Sequence, residues 1–177
     1  MERINSLKFP KLETERLLLR QLIDEDADAI ASLRSDDEVN AYIDRPKELS
    51  PGAAKAFITK INQKIKDEHW FYWAVCLKGQ QELIGTFCLF NFSAENTCAE
   101  LGYELNPDYQ GRGFASEAIK EVISFAFKTI GFKSLEAVVH QYNLKSVKLL
   151  QKNNFVPDIN RKHEKYTDYV FFVLTAS

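Results

Sequence analysis

Cysteine and histidine are scarce in this chain of 177 residues, which contains three of each. The cysteines are Cys76, Cys88 and Cys98, an odd number, and each lies in an apolar or strand-like segment. None of them has the spacing to a second cysteine or to a histidine that metal sites use. We therefore expect three buried free thiols, with no metal site and no redox centre.

Long apolar runs and an excess of positive charge are also missing. No stretch approaches the ~20 consecutive apolar residues that a membrane span needs, and residues 1–5 lack the apolar core of a signal peptide. The net charge is −2 and the isoelectric point is about 6.0, unlike the basic surface of a nucleic-acid-binding protein. These absences predict a cytoplasmic protein that binds neither membrane nor nucleic acid and that tolerates a cationic substrate.

The composition that remains is that of an ordinary globular protein. Hydrophobic residues make up 45% and charged residues 27% of the chain, which is long enough to bury a core without disulfides or metals. The sequence contains no internal repeat, low-complexity segment or linker. We therefore expect a single domain over residues 1–177.

Apolar periodicity predicts the element order β-α-α-α-β-β-β-α-β-α-β-β. The predicted strands are 14–22, 70–77, 82–92, 98–105, 135–139, 155–156 and 165–175. The predicted helices are one capped by Asp24, a short one at 36–43, one from Ser50-Pro51 to Lys66, and those at 113–130 and 143–152. Short turns make strands 70–105 antiparallel, and the helix at 113–130 makes a parallel crossover. The predicted fold class is α/β, with a mixed seven-stranded sheet flanked by helices.

A short loop, Gln110-Gly111-Arg112-Gly113, joins strand 98–105 to the long helix. The first turn of a helix carries N–H groups without intrahelical partners and about half a positive charge. Glycines at 111 and 113 would let an anion reach those groups, and Arg112 adds a cation. The loop has neither the Lys-Ser/Thr of a P-loop nor the third glycine of a dinucleotide fingerprint. It predicts a phosphate site at residues 111–116.

Residues 110–115 resemble the Gln/Arg-x-x-Gly-x-Gly/Ala motif of the GNAT N-acetyltransferases. Residues 143–155 resemble a second motif of that family, Asn-x-x-Ser-x-x-Leu/Ile-x-x-Lys-x-Gly-Phe, with Asn154 in place of the usual glycine. Asparagine is the next best residue for a left-handed helix end, so we expect the local geometry to persist. Segments 12–20 and 99–107 are similar to the RimJ/RimL-like branch, the ribosomal-protein N-terminal acetyltransferases.

This resemblance implies that acetyl-CoA is the co-substrate and that the loop amides hold its pyrophosphate. It also implies that the strand ending at Leu105 parts from the next strand and bonds the pantetheine arm, with the N–H of Glu104 or Leu105 facing the developing oxyanion. The cofactor-binding residues implied in this way are Glu104, Leu105, Gln110, Gly111, Arg112, Gly113, Phe114, Ala115, Ser116, Asn143 and Ser146.

Two residues are implied in catalysis. Glu100 resembles the catalytic glutamate of GNAT histone acetyltransferases, and Ser146 resembles the serine that protonates the departing thiolate in the RimL-like branch. Strand alternation puts Glu104 on the face of Glu100, where a pair of carboxylates could raise one pKa. Surface or capping roles remain as alternatives for these residues and for Asn143, and the base is Glu100, Glu104 or water alone.

Other side chains near the expected site have weaker signals. Tyr109 and Tyr142 are further hydroxyls, and the run Trp70-Phe71-Tyr72-Trp73 suits sheet core better than the wall of an acceptor cleft.

We expect direct acetyl transfer in a ternary complex, because no cysteine has a paired histidine. The leading acceptor is a protein N-terminal amine. Alternatives are a polyamine, an aminoglycoside or an amino acid, and, outside catalysis, an acyl-CoA-binding module or a nucleotide-binding scaffold. Acyl-chain preference and a homodimer stay open.

Overall fold

The computed structural model describes residues 9–45, 50–67 and 70–176. Within those ranges the strands form one sheet in the order β1-β2-β3-β4-β5-β6-β8-β7. The strands are β1 (Leu12–Glu13), β2 (Leu17–Gln21), β3 (Phe71–Leu77), β4 (Leu83–Phe90), β5 (Cys98–Leu105), β6 (Ser134–His140), β7 (Val156–Pro157) and β8 (Tyr169–Thr175). The helices are α1 (Ala27–Ser35), α2 (Asp37–Asn40), α3 (Pro51–Lys66), α4 (Phe114–Ser124) and α5 (Leu144–Lys152).

The mixed α/β architecture is confirmed, but the sheet has eight strands and not seven. The predicted first strand at 14–22 begins later, at Leu17, because Thr14 forms a turn: its N–H donates to the Leu17 carbonyl and its hydroxyl accepts from the Leu17 N–H. This turn reverses the chain, so β1 lies antiparallel to β2 with Leu12 opposite Leu19. The extra strand, β1 at Leu12–Glu13, lies before the predicted first strand, in a segment for which no strand was predicted.

Asp24 does not cap a helix, which corrects the predicted start of α1. A single 3-10 turn spans Asp24–Asp26, and α1 begins at Ala27. Asp26 is the acid that organises the turn: it is 4% exposed, accepts two hydrogen bonds of 2.7 Å from Arg20 and one of 2.9 Å from the Ile23 N–H. Charge pairing with a strand residue therefore decides where this helix starts.

Other predicted helix ends agree with the structure. The side chains of Ser50 and Asn143 accept hydrogen bonds from the N–H groups of Ala53 and Ser146, as N-caps do. Asn154 adopts the left-handed conformation with φ of 64°. The long helix at 113–130 differs in its last part, because α4 passes at Ser124 into a π-helical turn, Phe125–Ile130, that Gly131 ends.

Helices cover both faces of the sheet. One face packs against α4 and α5 and contains the larger apolar cluster, which includes Trp73, Phe87 and Ile119. The other packs against α1 and α3 around Ile30 and Ile58. We call these the α4/α5 face and the α1/α3 face. Phe71, Tyr72 and Trp73 are buried in the sheet core, whereas Trp70 is only partly buried. All three cysteines are free, and Cys76 is the fully buried one.

The sheet opens beside β5. This strand is antiparallel to β4 from Leu105 back to Glu100, but it is parallel to β6 only from Cys98 to Glu100. Beyond that point β5 continues to Leu105 without pairing to β6, while β6 continues to His140 paired with β8 on its other side. The two neighbouring strands therefore part after Glu100, and the backbone edge of β5 faces a gap.

Candidate active site

The glycine loop ends where α4 begins. Gly111 and Gly113 have φ of 75° and 84°, a conformation that side chains with a Cβ rarely adopt. The first N–H of α4 that bonds within the helix is that of Glu117, which donates to the Gly113 carbonyl at 3.0 Å. The N–H groups of residues 114–116 precede this bond and have no intrahelical acceptor. The groups available to an anion at the predicted cradle are therefore backbone N–H groups.

The side chain of Gln110 makes hydrogen bonds to other residues of the chain. Its amide nitrogen donates to the Leu105 carbonyl at 3.0 Å, and its amide oxygen accepts from Lys145 of α5 at 2.8 Å. The side chain therefore fastens the end of β5 and the start of α5 to the glycine loop. These contacts fix the distance between the cradle and the gap beside β5.

One backbone N–H at the end of β5 faces this gap. The Asn106 N–H donates to the Ile84 carbonyl of the preceding strand at 2.9 Å. Because successive residues of a strand turn their N–H groups to opposite sides, the Leu105 N–H points away from β4 and that of Glu104 points back to it. Of the two predicted oxyanion donors, Leu105 is therefore the one with the suitable direction.

Ser146 lies against a residue that the sequence did not single out, Tyr103 of β5. The two hydroxyl oxygens are 2.5 Å apart, and the Ser146 N–H is held by the Asn143 side chain. Tyr103 stacks on Phe87 at 5.3 Å between ring centroids, and burial raises its pKa to about 12. The pair joins β5 to α5 on the α4/α5 face, beside the gap. In the sequence, Tyr103 is marked only by strand alternation, which turns it to the opposite face of β5 from Gly102 and Glu104.

Glu100 lies on the opposite face at the point where the strands part. The Asn91 side chain donates to it at 2.8 Å, and Glu136 lies opposite it on β6. Burial is the largest cause that raises the pKa of Glu100, and the charge of Glu136 adds to it while the Asn91 bond opposes it. The predicted carboxylate pair with Glu104 is wrong, because the acidic neighbour that acts on Glu100 is Glu136.

Glu104 is instead the acid of an ion-pair cluster. Arg45 donates to it at 2.5 and 3.0 Å, and Arg34 lies 3.9 Å away. Burial and the charge of Arg45 lower the pKa of Arg34, whose guanidinium lies 4.3 Å from the ring centre of Phe57. Glu104 thus ties the segment after α2 to β5, and its carboxylate is paired with arginines.

Aromatic side chains from three segments meet on the α1/α3 face beyond Glu100. We call this group the aromatic wall, and it consists of Tyr42, His140, Tyr142, His163, Tyr166 and Tyr169. Adjacent rings are 5.2 to 5.6 Å apart between centroids. Tyr166 and Lys165 both donate to Asp44, so the segment before β8 is tied to the segment after α2. Tyr109 does not join this group, since it contacts Phe114 beside the glycine loop.

Three comparisons bear on this arrangement. Residues 16–156 match the family model described as the acetyltransferase (GNAT) domain. The chain belongs to the GNAT acetyltransferase family. It is 37% identical over 147 residues to an uncharacterized N-acetyltransferase of Bacillus subtilis, YoaA, with 83% of each chain covered. As a GNAT protein, it is an acetyl-CoA-dependent N-acetyltransferase.

Two further relatives of this GNAT protein have RimJ/RimL-type names. The [ribosomal protein uS5]-alanine N-acetyltransferase of Escherichia coli is 26% identical over 183 residues, with 94% of this chain and 91% of that protein covered. A solved structure of Mycobacterium smegmatis RimJ in complex with CoA-disulfide superimposes with a TM-score of 0.83 at 16% identity, covering 95% and 88%. These comparisons support the RimJ/RimL-like branch expected from the sequence. The likeness to the Mycobacterium smegmatis structure is one of fold alone.

Two expectations about composition can be compared with the described residues. Among residues 9–45, 50–67 and 70–176, no group of three or more histidine, cysteine or carboxylate side chains could hold a metal ion. Within the same ranges, no helix has the length and apolar character needed to cross a bilayer. His69 lies outside the described residues.

Proposed function

We propose that this N-acetyltransferase transfers the acetyl group of acetyl-CoA directly to the α-amine of a protein N-terminus. The observation that carries the proposal is the gap beside β5, which has the Tyr103 and Ser146 hydroxyls on one face of the sheet and Glu100 on the other. An acyl donor and an amine that enter from opposite faces would meet there. Such a meeting allows direct transfer without a covalent enzyme intermediate.

The glycine loop would hold the donor. The outward N–H groups of residues 114–116 and the helix dipole suit the pyrophosphate, and Arg112 adds positive charge. The cofactor-binding roles of Gly111, Gly113, Phe114, Ala115 and Ser116 are therefore part of this proposal. Leu105 would donate its N–H to the thioester carbonyl oxygen as negative charge develops there.

The polar side chains at the gap would move protons. Ser146, held by Tyr103 and by the cap of α5, would donate a hydrogen bond to the departing thiolate. Glu100, whose pKa burial raises, is a stronger base than an exposed glutamate and would take the proton of the attacking amine. Glu104 is held by Arg45 and is therefore a poor alternative as base.

The charges beside the gap on the α1/α3 face favour a neutral amine over a polycation. Glu100, Glu104, Glu136 and Asp44 are accompanied there by four cations: Arg45 and Arg34 at Glu104, Arg161 at Glu136 and Lys165 at Asp44, while Glu100 is bound to an amide. A polyamine is recognised best by an excess of acid, whereas an α-amine with a pKa of ~7.7–8.0 is partly neutral at pH 7. The balance supports the N-terminal acceptor.

A thiol-release assay with acetyl-CoA and matched acceptors tests the proposal. We expect turnover of short peptides with a free N-terminus, none of the same peptides with a blocked N-terminus, and little of spermidine. Robust turnover of spermidine or an aminoglycoside without turnover of peptides would overturn the N-terminal assignment. Binding of acetyl-CoA without thiol release across the whole panel would favour an acyl-CoA-binding module.

A cytoplasmic location and a homodimer remain predictions attached to this proposal. Cell fractionation tests the first, since the enzyme should separate with the acetyl-CoA pool and the ribosomes. Light scattering on the purified protein tests the second.

A further inference from the structure

A polar cluster joins the N-terminal segment of the chain to the first turn of α4. The carboxylate of Glu117 accepts hydrogen bonds from the Thr14 hydroxyl at 2.5 Å, the Arg16 N–H at 2.8 Å and the Arg16 Nε at 2.7 Å. Burial alone would raise the pKa of Glu117, but these hydrogen bonds outweigh it and lower the pKa. The carboxylate is thus ionised at neutral pH, and it fixes the Arg16 side chain.

Arg16 in turn contacts the glycine loop. Its Nη1 donates to the Arg112 carbonyl at 3.1 Å, and its guanidinium carbon lies 4.5 Å from the ring centre of Phe114. A Cβ added to Gly113 would lie 3.4 Å from the Arg16 Nη2. A single side chain from the segment between β1 and β2 therefore reaches the last two residues of the loop and the first residue of α4.

The contact with the Arg112 carbonyl determines the direction of the next N–H. A trans peptide unit points its carbonyl and its N–H in opposite directions, so a carbonyl held towards Arg16 turns the Gly113 N–H away from it. Because two glycines give this loop many accessible backbone conformations, an external contact is needed to select one of them. The contact with Arg16 thus fixes the orientation of the peptide unit that carries the Gly113 N–H.

We propose that Arg16, fixed by Glu117, is a positioning residue that holds the glycine loop ready for the pyrophosphate of acetyl-CoA. The inference rests on the proposed binding of the donor at this loop. It assigns to the Arg16–Glu117 pair a preorganising role that lowers the cost of ordering the loop when the diphosphate binds. The pair acts through the backbone of residues 112 and 113.

Titration calorimetry with CoA and Arg16→Gln tests the inference. We expect the Kd for CoA to rise about tenfold, equivalent to about 1.4 kcal/mol. Transfer from acetyl-pantetheine, a donor without the pyrophosphate, should keep its wild-type kcat/KM. A structural role for Arg16 would lower transfer from both donors, and that result, or an unchanged Kd, would overturn the inference.

Glu117→Gln separates positioning from a direct charge contact. It retains Arg16 and its charge but weakens the bonds that fix it, so a positioning role predicts a weaker affinity for CoA in this variant as well. An unchanged or tighter affinity would mean that Arg16 binds the phosphate by charge, which contradicts the proposal. If Arg16→Gln does not fold, Arg16→Lys replaces it, because lysine cannot bond Glu117 and the Arg112 carbonyl as a fork.

A third variant distinguishes failure of this inference from failure of the proposed donor site. Gly113→Asp acts on the loop directly and not through Arg16. If Gly113→Asp removes CoA binding while Arg16→Gln and Glu117→Gln leave it intact, the donor site stands and the positioning role is wrong. If Gly113→Asp also leaves CoA binding intact, the donor lies elsewhere and both proposals are wrong.

Discussion

The two faces of the sheet at the gap beside β5 are built in different ways. On the α4/α5 face, the groups suited to a ligand are mostly backbone N–H groups from one continuous stretch, residues 105–116, with Ser146 and Tyr103 beside them. On the α1/α3 face, they are side chains from separate segments, among them Glu100, Asp44 and the aromatic wall. A backbone site depends on chain geometry, whereas a side-chain site can change one residue at a time.

The largest expected effect comes from disrupting the backbone site on the α4/α5 face. Gly113→Asp introduces a Cβ at φ of 84° and a negative charge at the start of α4. We expect the affinity for CoA to fall at least about 100-fold, through strain and charge repulsion together. Calorimetry with CoA measures this, and a matched Gly79→Asp variant in the turn after β3, where φ is 80°, controls for backbone strain alone. Equal losses in both variants would count against the cradle.

Glu100→Gln tests the side-chain site on the α1/α3 face. If Glu100 is the base, kcat should fall about tenfold at pH 7, less than the ~10²–10⁴-fold typical of general-base catalysis, because an α-amine is already partly neutral. The deficit should shrink towards pH 9, where the amine loses its proton unaided. Measuring kcat from pH 6 to 9 checks this, with Glu95→Gln, which removes an exposed carboxylate in the turn before β5, as the control. A deficit that is constant with pH would assign Glu100 to positioning.

The contact between Tyr103 and Ser146 tests whether side chains on the α4/α5 face act as one unit. Tyr103→Phe and Ser146→Ala should each lower kcat about fivefold, the scale of one hydrogen bond. Because the hydroxyls are 2.5 Å apart, the double variant should lose little more than either single one. Multiplicative losses in a double-mutant cycle would show that the two hydroxyls act independently.

The difference between the faces also explains what the sequence could predict. The glycine loop, the cap Asn143 and the left-handed Asn154 are local features, so residue type and spacing suffice to recognise them. The ion pairs of Glu104 with Arg45 and of Arg16 with Glu117 join residues 59 and 101 positions apart, and no local pattern indicates them. The short strand β1 was missed because it has two residues and precedes the predicted first strand, and Thr14 looks like an ordinary strand residue until its side chain bonds Leu17.

A moderate effect is expected where two segments of the α1/α3 face are tied together. Asp44→Asn removes the charge that holds Lys165 and weakens the bond to Tyr166. Since this contact is exposed, the loss of stability should be small, but the aromatic wall should open. We expect the KM for a peptide acceptor to rise about threefold, the scale of a weak exposed contact, with the KM for acetyl-CoA unchanged. Equal changes in both constants would mean that the two faces are not separate sites.

The smallest expected effect concerns the stability of the folded chain. Burial raises the pKa of Glu100 in the folded state above its unfolded value, so the folded state binds the proton more tightly and loses stability as the pH rises through that interval. Glutamine resembles the protonated form and can still accept the hydrogen bond from Asn91. Glu100→Gln should therefore increase the free energy of unfolding at pH 7, by less than about 1 kcal/mol. The gain should shrink as the pH falls through the folded pKa of Glu100 and disappear below its unfolded pKa, because the wild-type carboxyl is then protonated in both states. Urea unfolding at pH 4 and pH 7 measures this, and a variant less stable than wild type at pH 7 would show that the charged carboxylate is stabilised by its surroundings, contrary to its role as a base with a raised pKa.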